Sequence, residues 1–200
     1  MFWDTAAKYY DIFEKLYNGK VNKKLGIVVG ELIDSNDDVL ECACGTGMLS
    51  KHIAPNCKRL IATDFSTGML QKTKKNLSSY SNVKVRRANI MELQCKSECF
   101  DKVVAGNVIH LLDDPVSALQ ELNRVCKPGG KIIIPTYVNK ENNGNLSLFI
   151  KLISKLGANF NKHFDYNSYK EFFYSLGVTN VKYILIKGRM PCAIAIITKE

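Results

Sequence analysis

The sequence contains no run approaching the ~18 consecutive apolar residues that a membrane-spanning helix requires, so integral membrane association is not expected. Its first residues, Met1-Phe2-Trp3-Asp4-Thr5, lack the basic segment, apolar stretch and small-residue cleavage site of a secretory signal, and a soluble, cytoplasmic chain is the expectation. Zinc-finger spacing is also missing. Cys42 and Cys44 sit close together, as do Cys95 and Cys99, but no second pair of Cys or His matches either, so no metal site is expected. Seven cysteines is an odd number, and in a reducing compartment they read as buried free thiols rather than a disulfide framework. No repeat, low-complexity tract or linker rich in Pro, Gly or Ser divides the chain, and its 200 residues read as one domain, 1–200.

What is present is ordinary for a globular protein: 46% apolar and 24% charged residues. A net charge of +9 lowers the cost of approaching phosphates and raises the question of nucleic acid. The distribution argues against it. Of the basic cluster Lys72, Lys74, Lys75, Lys84, Arg86 and Arg87, the first three fall on the solvent face of a predicted helix.

The apolar periodicity alternates between helix and strand. An aromatic-rich helix is predicted over Ala6 to Leu16 and an amphipathic one over Lys20 to Ile33, where Val21, Leu25, Val28, Val29 and Leu32 share a face. Strand Val39 to Ala43 then runs into Gly45-Thr46-Gly47, and a helix follows over Met48 to Ala54. Strands are predicted at Arg59 to Thr63, Val83 to Arg87, Lys102 to Gly106 and Lys131 to Pro135, with helices at Ser66 to Leu77 and Pro115 to Val125. Ser66 suits an N-cap, Asp114-Pro115 a helix start, and Lys127-Pro128-Gly129-Gly130 a helix stop and turn. Val181 to Ile186 and Cys192 to Thr198 are close enough for a hairpin and too close for a crossover helix. The expected fold is therefore α/β: a Rossmann-like, doubly wound, seven-stranded sheet, mostly parallel, with one antiparallel strand at the C-terminal hairpin. Residues 1–34 form N-terminal helices or a cap, 35–136 the core, 137–177 a lid insertion with a helix over Asn145 to Leu156, and 178–200 the hairpin.

In a doubly wound sheet, ligands bind beyond the carboxyl ends of the strands, where a glycine turn lets them approach the main chain. Gly45 and Gly47 supply such a turn. Ser50 stands where the dinucleotide fingerprint G-x-G-x-x-G has its third glycine, and the Gly-Lys-Ser/Thr of a phosphate loop is absent, so nicotinamide dinucleotides and ATP fit poorly. Asp64 ends the second strand at roughly the ~20-residue separation at which an acid accepts hydrogen bonds from ribose hydroxyls. Its alternative role is capping the following helix.

Taken in order, these segments resemble the class I S-adenosylmethionine-dependent methyltransferases. Val39-Leu40-Glu41-Cys42-Ala43-Cys44-Gly45-Thr46-Gly47 resembles their first motif, and Asp64-Phe65-Ser66-Thr67-Gly68-Met69-Leu70 their D-x-S-x-x-M-L second motif. Phe100-Asp101 through Asn107-Val108-Ile109-His110 resembles the fourth-strand motif, and Arg124-Val125-Cys126-Lys127-Pro128-Gly129-Gly130 the turn before the fifth strand. The resemblance covers about residues 35 to 136 and is strongest to the small-molecule branch that includes the quinone-biosynthesis (type 11) enzymes. It implies S-adenosyl-L-methionine as cofactor and S-adenosyl-L-homocysteine as product. Glu41, Ala43, Gly45 and Gly47 would face the methionine end, Asp64 the ribose, and Phe65 and Met69 the adenine, with Ile90 also among the cofactor-binding residues. Asn89 stands where the family usually has an Asp receiving the adenine amino group, and an amide oxygen can accept that bond too. Asn107 would lie near the transferred methyl.

Methyl transfer from a sulfonium is a direct displacement that needs mainly alignment, so neither triad nor metal is required. An oxygen or carbon acceptor needs a base in addition, for which His110 and Tyr10 are the candidates. Trp3, Tyr9, Tyr10 and Tyr17 either line an acceptor pocket or pack the first helix. Phe149, Ile153 and Phe160 suggest an apolar or aromatic small-molecule acceptor. The alternatives are an RNA or lipid methyltransferase and a non-catalytic S-adenosylmethionine-binding module. A monomer or homodimer is expected.

Overall fold

The computed structural model of the chain describes residues 2–139 and 163–200, without the side chains of Phe2 and residues 5–15. The elements run in the order α1 (Phe2–Glu31), β1 (Asp38–Cys42), α2 (Ser50–Ile53) with a 3₁₀ turn (Ala54–Asn56), β2 (Arg59–Asp64), α3 (Thr67–Asn76), β3 (Val83–Arg87), β4 (Phe100–Ala105), α4 (Pro115–Val125), β5 (Cys126–Tyr137), α5 (Tyr166–Ser175), β6 (Val181–Ile186) and β7 (Cys192–Thr198).

The seven strands form one sheet in the order β3-β2-β1-β4-β5-β7-β6. β1 to β5 are parallel to one another, and β7 runs antiparallel between β5 and β6. Because successive strand side chains point to opposite faces, each central strand feeds two cores. Leu40, Val103, Ile132 and Ile134 pack with α4 and α5, while Val39, Val104 and Ile133 pack with α1, α2 and α3.

The two helices predicted before residue 34 are one element with a break. Asn18 leaves helical geometry (φ −135°, ψ 20°), and its buried amide grips the β6–β7 turn, donating to the Met190 carbonyl at 2.9 Å and accepting from the Met190 N–H at 3.3 Å. Beyond this kink, Val21, Leu25 and Val29 are buried on the sheet as the periodicity predicted. β5 begins earlier than expected. Cys126 already pairs with Phe100, and the register then slips to Lys102–Lys131, so the Gly129-Gly130 turn (Gly129 φ 74°) is an irregularity within the strand rather than a loop before it. β4 correspondingly starts at Phe100 and not Lys102.

α5 was not anticipated. Asp165 and Ser168 form a capping box, and Tyr169, Phe172 and Phe173 are buried beneath it. The helix expected over Asn145 to Leu156, with Phe149, Ile153 and Phe160, lies outside the described residues.

Candidate cofactor site

The strand order reverses between β1 and β4, which puts the topological switch point at their carboxyl ends. β1 ends at Cys42 because Ala43 turns into the left-handed region (φ 52°), and Asn107 does the same (φ 52°) just beyond β4. For a residue with a Cβ this costs roughly 1–2 kcal/mol. Gly45 (φ 56°) and Gly47 (φ 89°) continue the turn with no such penalty. They have different surroundings. A Cβ on Gly45 would meet nothing within 4 Å, whereas one on Gly47 would touch Thr73, Ser50 and Leu77 at 3.4–3.7 Å. Gly45 therefore presents bare backbone to the cleft, and Gly47 lies behind it against α3, outside the lining.

Side chains from the next βα unit fix this loop. Asp64 Oδ2 accepts the Gly45 N–H at 2.8 Å, Thr73 Oγ1 donates to the Gly45 carbonyl at 2.5 Å, and Asn76 Nδ2 donates to the Thr46 carbonyl at 2.9 Å. The other oxygen of Asp64 accepts the Ser66 N–H at 2.8 Å, so the capping-type bond is present. Each oxygen retains further acceptor capacity, which leaves the carboxylate able to receive donors from the cleft. Burial pushes its pKa above the ordinary value, against the pull of the backbone N–H groups of Ser66, Gly45 and Phe65.

Glu41 lies among the cleft-lining residues, only 2% exposed. Ser50 Oγ donates to the Glu41 Oε2 at 2.5 Å. The residue that breaks the dinucleotide fingerprint is thus the one that holds the buried acid. Burial raises the Glu41 pKa to about 8, with Asp64 adding to the rise, so the carboxyl is mainly neutral at pH 7.

Phe65 and Met69 line one side of the cleft. Arg87 stacks over the Phe65 ring at 4.7 Å and donates to its carbonyl at 3.0 Å. Asn89 and Ile90 line the cleft beyond β3, but the Asn89 Oδ1 already accepts the Met91 N–H at 3.1 Å. Asn107 Oδ1 likewise accepts the Tyr137 N–H at 3.0 Å, tying β4 to β5 at the cleft edge.

Among the predicted residues with described side chains, His110 and Tyr17 stand apart from the cleft. His110 is buried outside the lining, although Leu111 and Leu112 belong to it, and burial lowers its pKa to about 4, with His163 adding to the effect. The side chains of Tyr9 and Tyr10 lie outside the described residues. Tyr17 sits under Arg189, 4.1 Å from guanidinium to ring centre, away from the cleft, whereas Trp3 forms part of its wall.

The cleft has a volume of about 370 Å³, within the range of small-ligand pockets. Its walls are largely apolar (Ala43, Met69, Ala88, Ile90), with a carboxylate at Asp64, a second carboxyl at Glu41 and open space over Gly45. That set suits a flat heterocycle joined to a ribose and a short cationic chain. Among the described residues, no group of His, Cys, Asp and Glu is arranged to hold a metal, and no helix is long and apolar enough to cross a membrane.

Residues 40–134 match the model of a methyltransferase domain family. A demethylmenaquinone methyltransferase of Staphylococcus aureus is 34% identical over 123 residues, which is 60% of this chain and 48% of the relative. The chain therefore spans about half the length of the curated relatives it matches. Two solved structures share the fold. One is a SAM-dependent methyltransferase from Aquifex aeolicus, with TM-score 0.68, 17% identity and 98% of both chains covered. The other is phosphoethanolamine N-methyltransferase 2 of Haemonchus contortus in complex with phosphomonomethylethanolamine and S-adenosylhomocysteine, with TM-score 0.75, 16% identity, and 98% of this chain and 58% of that one covered. At such identities the likeness is one of fold. Residues 40–134 thus carry a methyltransferase domain, and the chain has a fold shared with S-adenosylmethionine-dependent methyltransferases.

Proposed function

We propose that this chain binds S-adenosylmethionine in the cleft at the β1/β4 switch point and transfers its methyl group to a small acceptor of apolar or aromatic character. The observation that carries the reading is the pairing of Asp64 with the Gly45 turn: one partly buried carboxylate both fixes the open glycine backbone and lines the space a ribose would fill. Asp64 would accept the ribose hydroxyls, the apolar walls at Phe65, Met69 and Ile90 would take the adenine, and Glu41 and Ala43 would line the methionine end.

When bound, the cofactor supplies an electrophilic methyl on a cationic sulfur. Asp64, Gly45 and Glu41 would hold that group, and the chemistry it would supply is a methyl for an acceptor's electron pair, with the neutral thioether as leaving group and any acceptor proton released to solvent. The protein's part is alignment and exclusion of water. Asn107, held by the Tyr137 N–H, gives the cleft edge a fixed polar group beside the reaction site. His110 is neutral at pH 7, as a base must be, but its place behind the lining keeps it from a direct role in this arrangement.

The relative from Staphylococcus aureus is named for a demethylmenaquinone substrate, and a quinol-like aromatic is the first acceptor class to test. Purified protein would be incubated with S-adenosylmethionine and a panel of quinols, catechols, small amines and short RNAs, with S-adenosylhomocysteine and methylated product read by mass spectrometry. Product with an aromatic hydroxyl or ring-carbon acceptor supports the proposal. Turnover with RNA alone would replace it, and tight cofactor binding with no turnover on any acceptor would favour a non-catalytic module.

A further inference from the structure

The first turn of α1 meets the first turn of α3 in an arrangement that the cofactor reading does not use. Asp4 Oδ1 accepts from Ser66 Oγ at 2.6 Å, Thr67 Oγ1 at 3.3 Å and the Gly68 N–H at 2.9 Å. Asp4 also lies in the first turn of its own helix. The positive ends of two helix dipoles therefore converge on one carboxylate, and without that charge they would repel. The Ser66 bond, with the other donors, lowers the Asp4 pKa to about 2, which keeps it ionised across the ordinary pH range.

Gly68 makes the approach possible. A Cβ there would stand 2.8 Å from the Asp4 carbonyl oxygen and 2.9 Å from its Cα, too close for any side chain. The neighbouring residue, Trp3, forms part of the cleft wall together with Phe65 and Met69. The other end of the segment is also defined: Asn18 breaks the helix and is bonded to Met190, after which Val21, Leu25 and Val29 are buried. Residues 2–17 thus form an arm with a hinge at Asn18 and a latch at Asp4.

We infer that Asp4 is a positioning residue that latches this arm onto α3, so that Trp3 closes the wall of the cofactor cleft and ligand exchange requires the arm to release. The inference rests on the cofactor reading for the identity of the ligand, and on the Asp4 contacts alone for the latch.

Trp3 is the only tryptophan in the chain, so its emission reports the arm without a label. The experiment compares wild type, Asp4→Ala, Asp4→Asn and Gly68→Ala by Trp emission in the absence of ligand, and by the dissociation rate of S-adenosylhomocysteine in stopped flow. Asp4→Ala is expected to shift Trp3 emission toward that of a solvated indole and to speed dissociation by about tenfold, the order of effect lost with charge-assisted hydrogen bonds. Asp4→Asn keeps an acceptor without the charge and should fall between. Gly68→Ala approaches from the other side: Ala is the better helix former, so α3 is not weakened, yet the arm must move off. It should show the emission and dissociation changes of Asp4→Ala without a lower Tm. Unchanged emission and dissociation in both Asp4→Ala and Gly68→Ala would overturn the latch. Altered emission with unchanged dissociation would overturn the gating. If the wild type bound no adenosyl ligand, the gating would fall with the cofactor reading, and the emission comparison would still decide whether the latch exists.

Discussion

The two ends of the sheet handle buried charge in opposite ways. At the amino ends of the central strands, acids and bases are matched: Lys102 Nζ lies 2.8 Å from Asp37 and 3.4 Å from Asp34, Arg59 pairs with Asp38 at 3.1 Å, and Lys127 with Asp101 at 2.7 Å. At the carboxyl ends, Glu41 has only the neutral Ser50 hydroxyl, and Asp64 only backbone N–H groups; among the described residues neither forms an ion pair. Burying a charge is costly unless it is paired, so the first end is finished and the second is left with two acids whose pKa values burial raises. A ligand carrying donors and positive charge would complete the second end. On the proposed reading, the difference separates what holds the fold from what would receive the cofactor.

The largest effect that sharpens this contrast should come from the matched end. Lys102→Met leaves Asp37 buried without its cation and is expected to lower the urea-unfolding free energy by about 3 kcal/mol, while S-adenosylhomocysteine affinity of the folded protein stays within about twofold. A comparable loss of affinity would break the division between the ends. Asp64→Ala should do the reverse. It removes a carboxylate that was expensive to bury, so stability should change by less than about 1 kcal/mol. Adenosyl-ligand affinity measured by calorimetry should nonetheless fall by about a hundredfold, near the upper range for lost hydrogen bonds to a charged group.

Glu41 gives the pH dependence its sign. Its folded pKa of about 8 lies above the ordinary carboxyl value of 4.5, so the folded chain holds a proton that the unfolded chain has released. Stability from this group is full at low pH and is lost as pH rises from about 4.5 to about 8. Between pH 6 and 8 the wild type should lose about 2 kcal/mol relative to Glu41→Gln in parallel urea titrations. A flat difference across that range would mean that Glu41 is not neutral in the free protein. The smallest effect is expected at the side of the cleft proposed for the adenine, where Arg87 over the exposed Phe65 ring is worth no more than a surface cation–π contact. Arg87→Ala should weaken ligand binding by about threefold, checked in the same calorimeter.

Much of the carboxyl end was legible in the sequence because its signals are local. An apolar strand followed by glycines, an acid at the end of the next strand and Ser66 as a helix cap each depend on a few adjacent residues, and Ser66 does accept the Met69 N–H. The C-terminal hairpin was equally plain, since two β-rich runs so close together admit little else. The features that escaped are long-range or lack a local signal. Ser50 looked like a defect in a glycine fingerprint until the fold brought it to Glu41. The Asp4 contacts join residues more than sixty positions apart, and no periodicity announces them. α5 escaped because its capping box has Ser at the third position where Glu or Gln is the usual signature. β5 ran through a Pro-Gly-Gly stretch that normally ends an element, because pairing with β4 and β7 on either side outweighs the local preference. Gly47 and Gly45 are indistinguishable in sequence, and only the packing of α3 shows which of them faces the cleft.

The most direct measurement is isothermal titration of S-adenosylmethionine and S-adenosylhomocysteine into the wild-type chain, with NADH as the control. Micromolar binding of both adenosyl ligands at one site per chain, with no heat from NADH, is the expected result. Failure of both adenosyl ligands to bind the folded protein would contradict the assignment of the cleft.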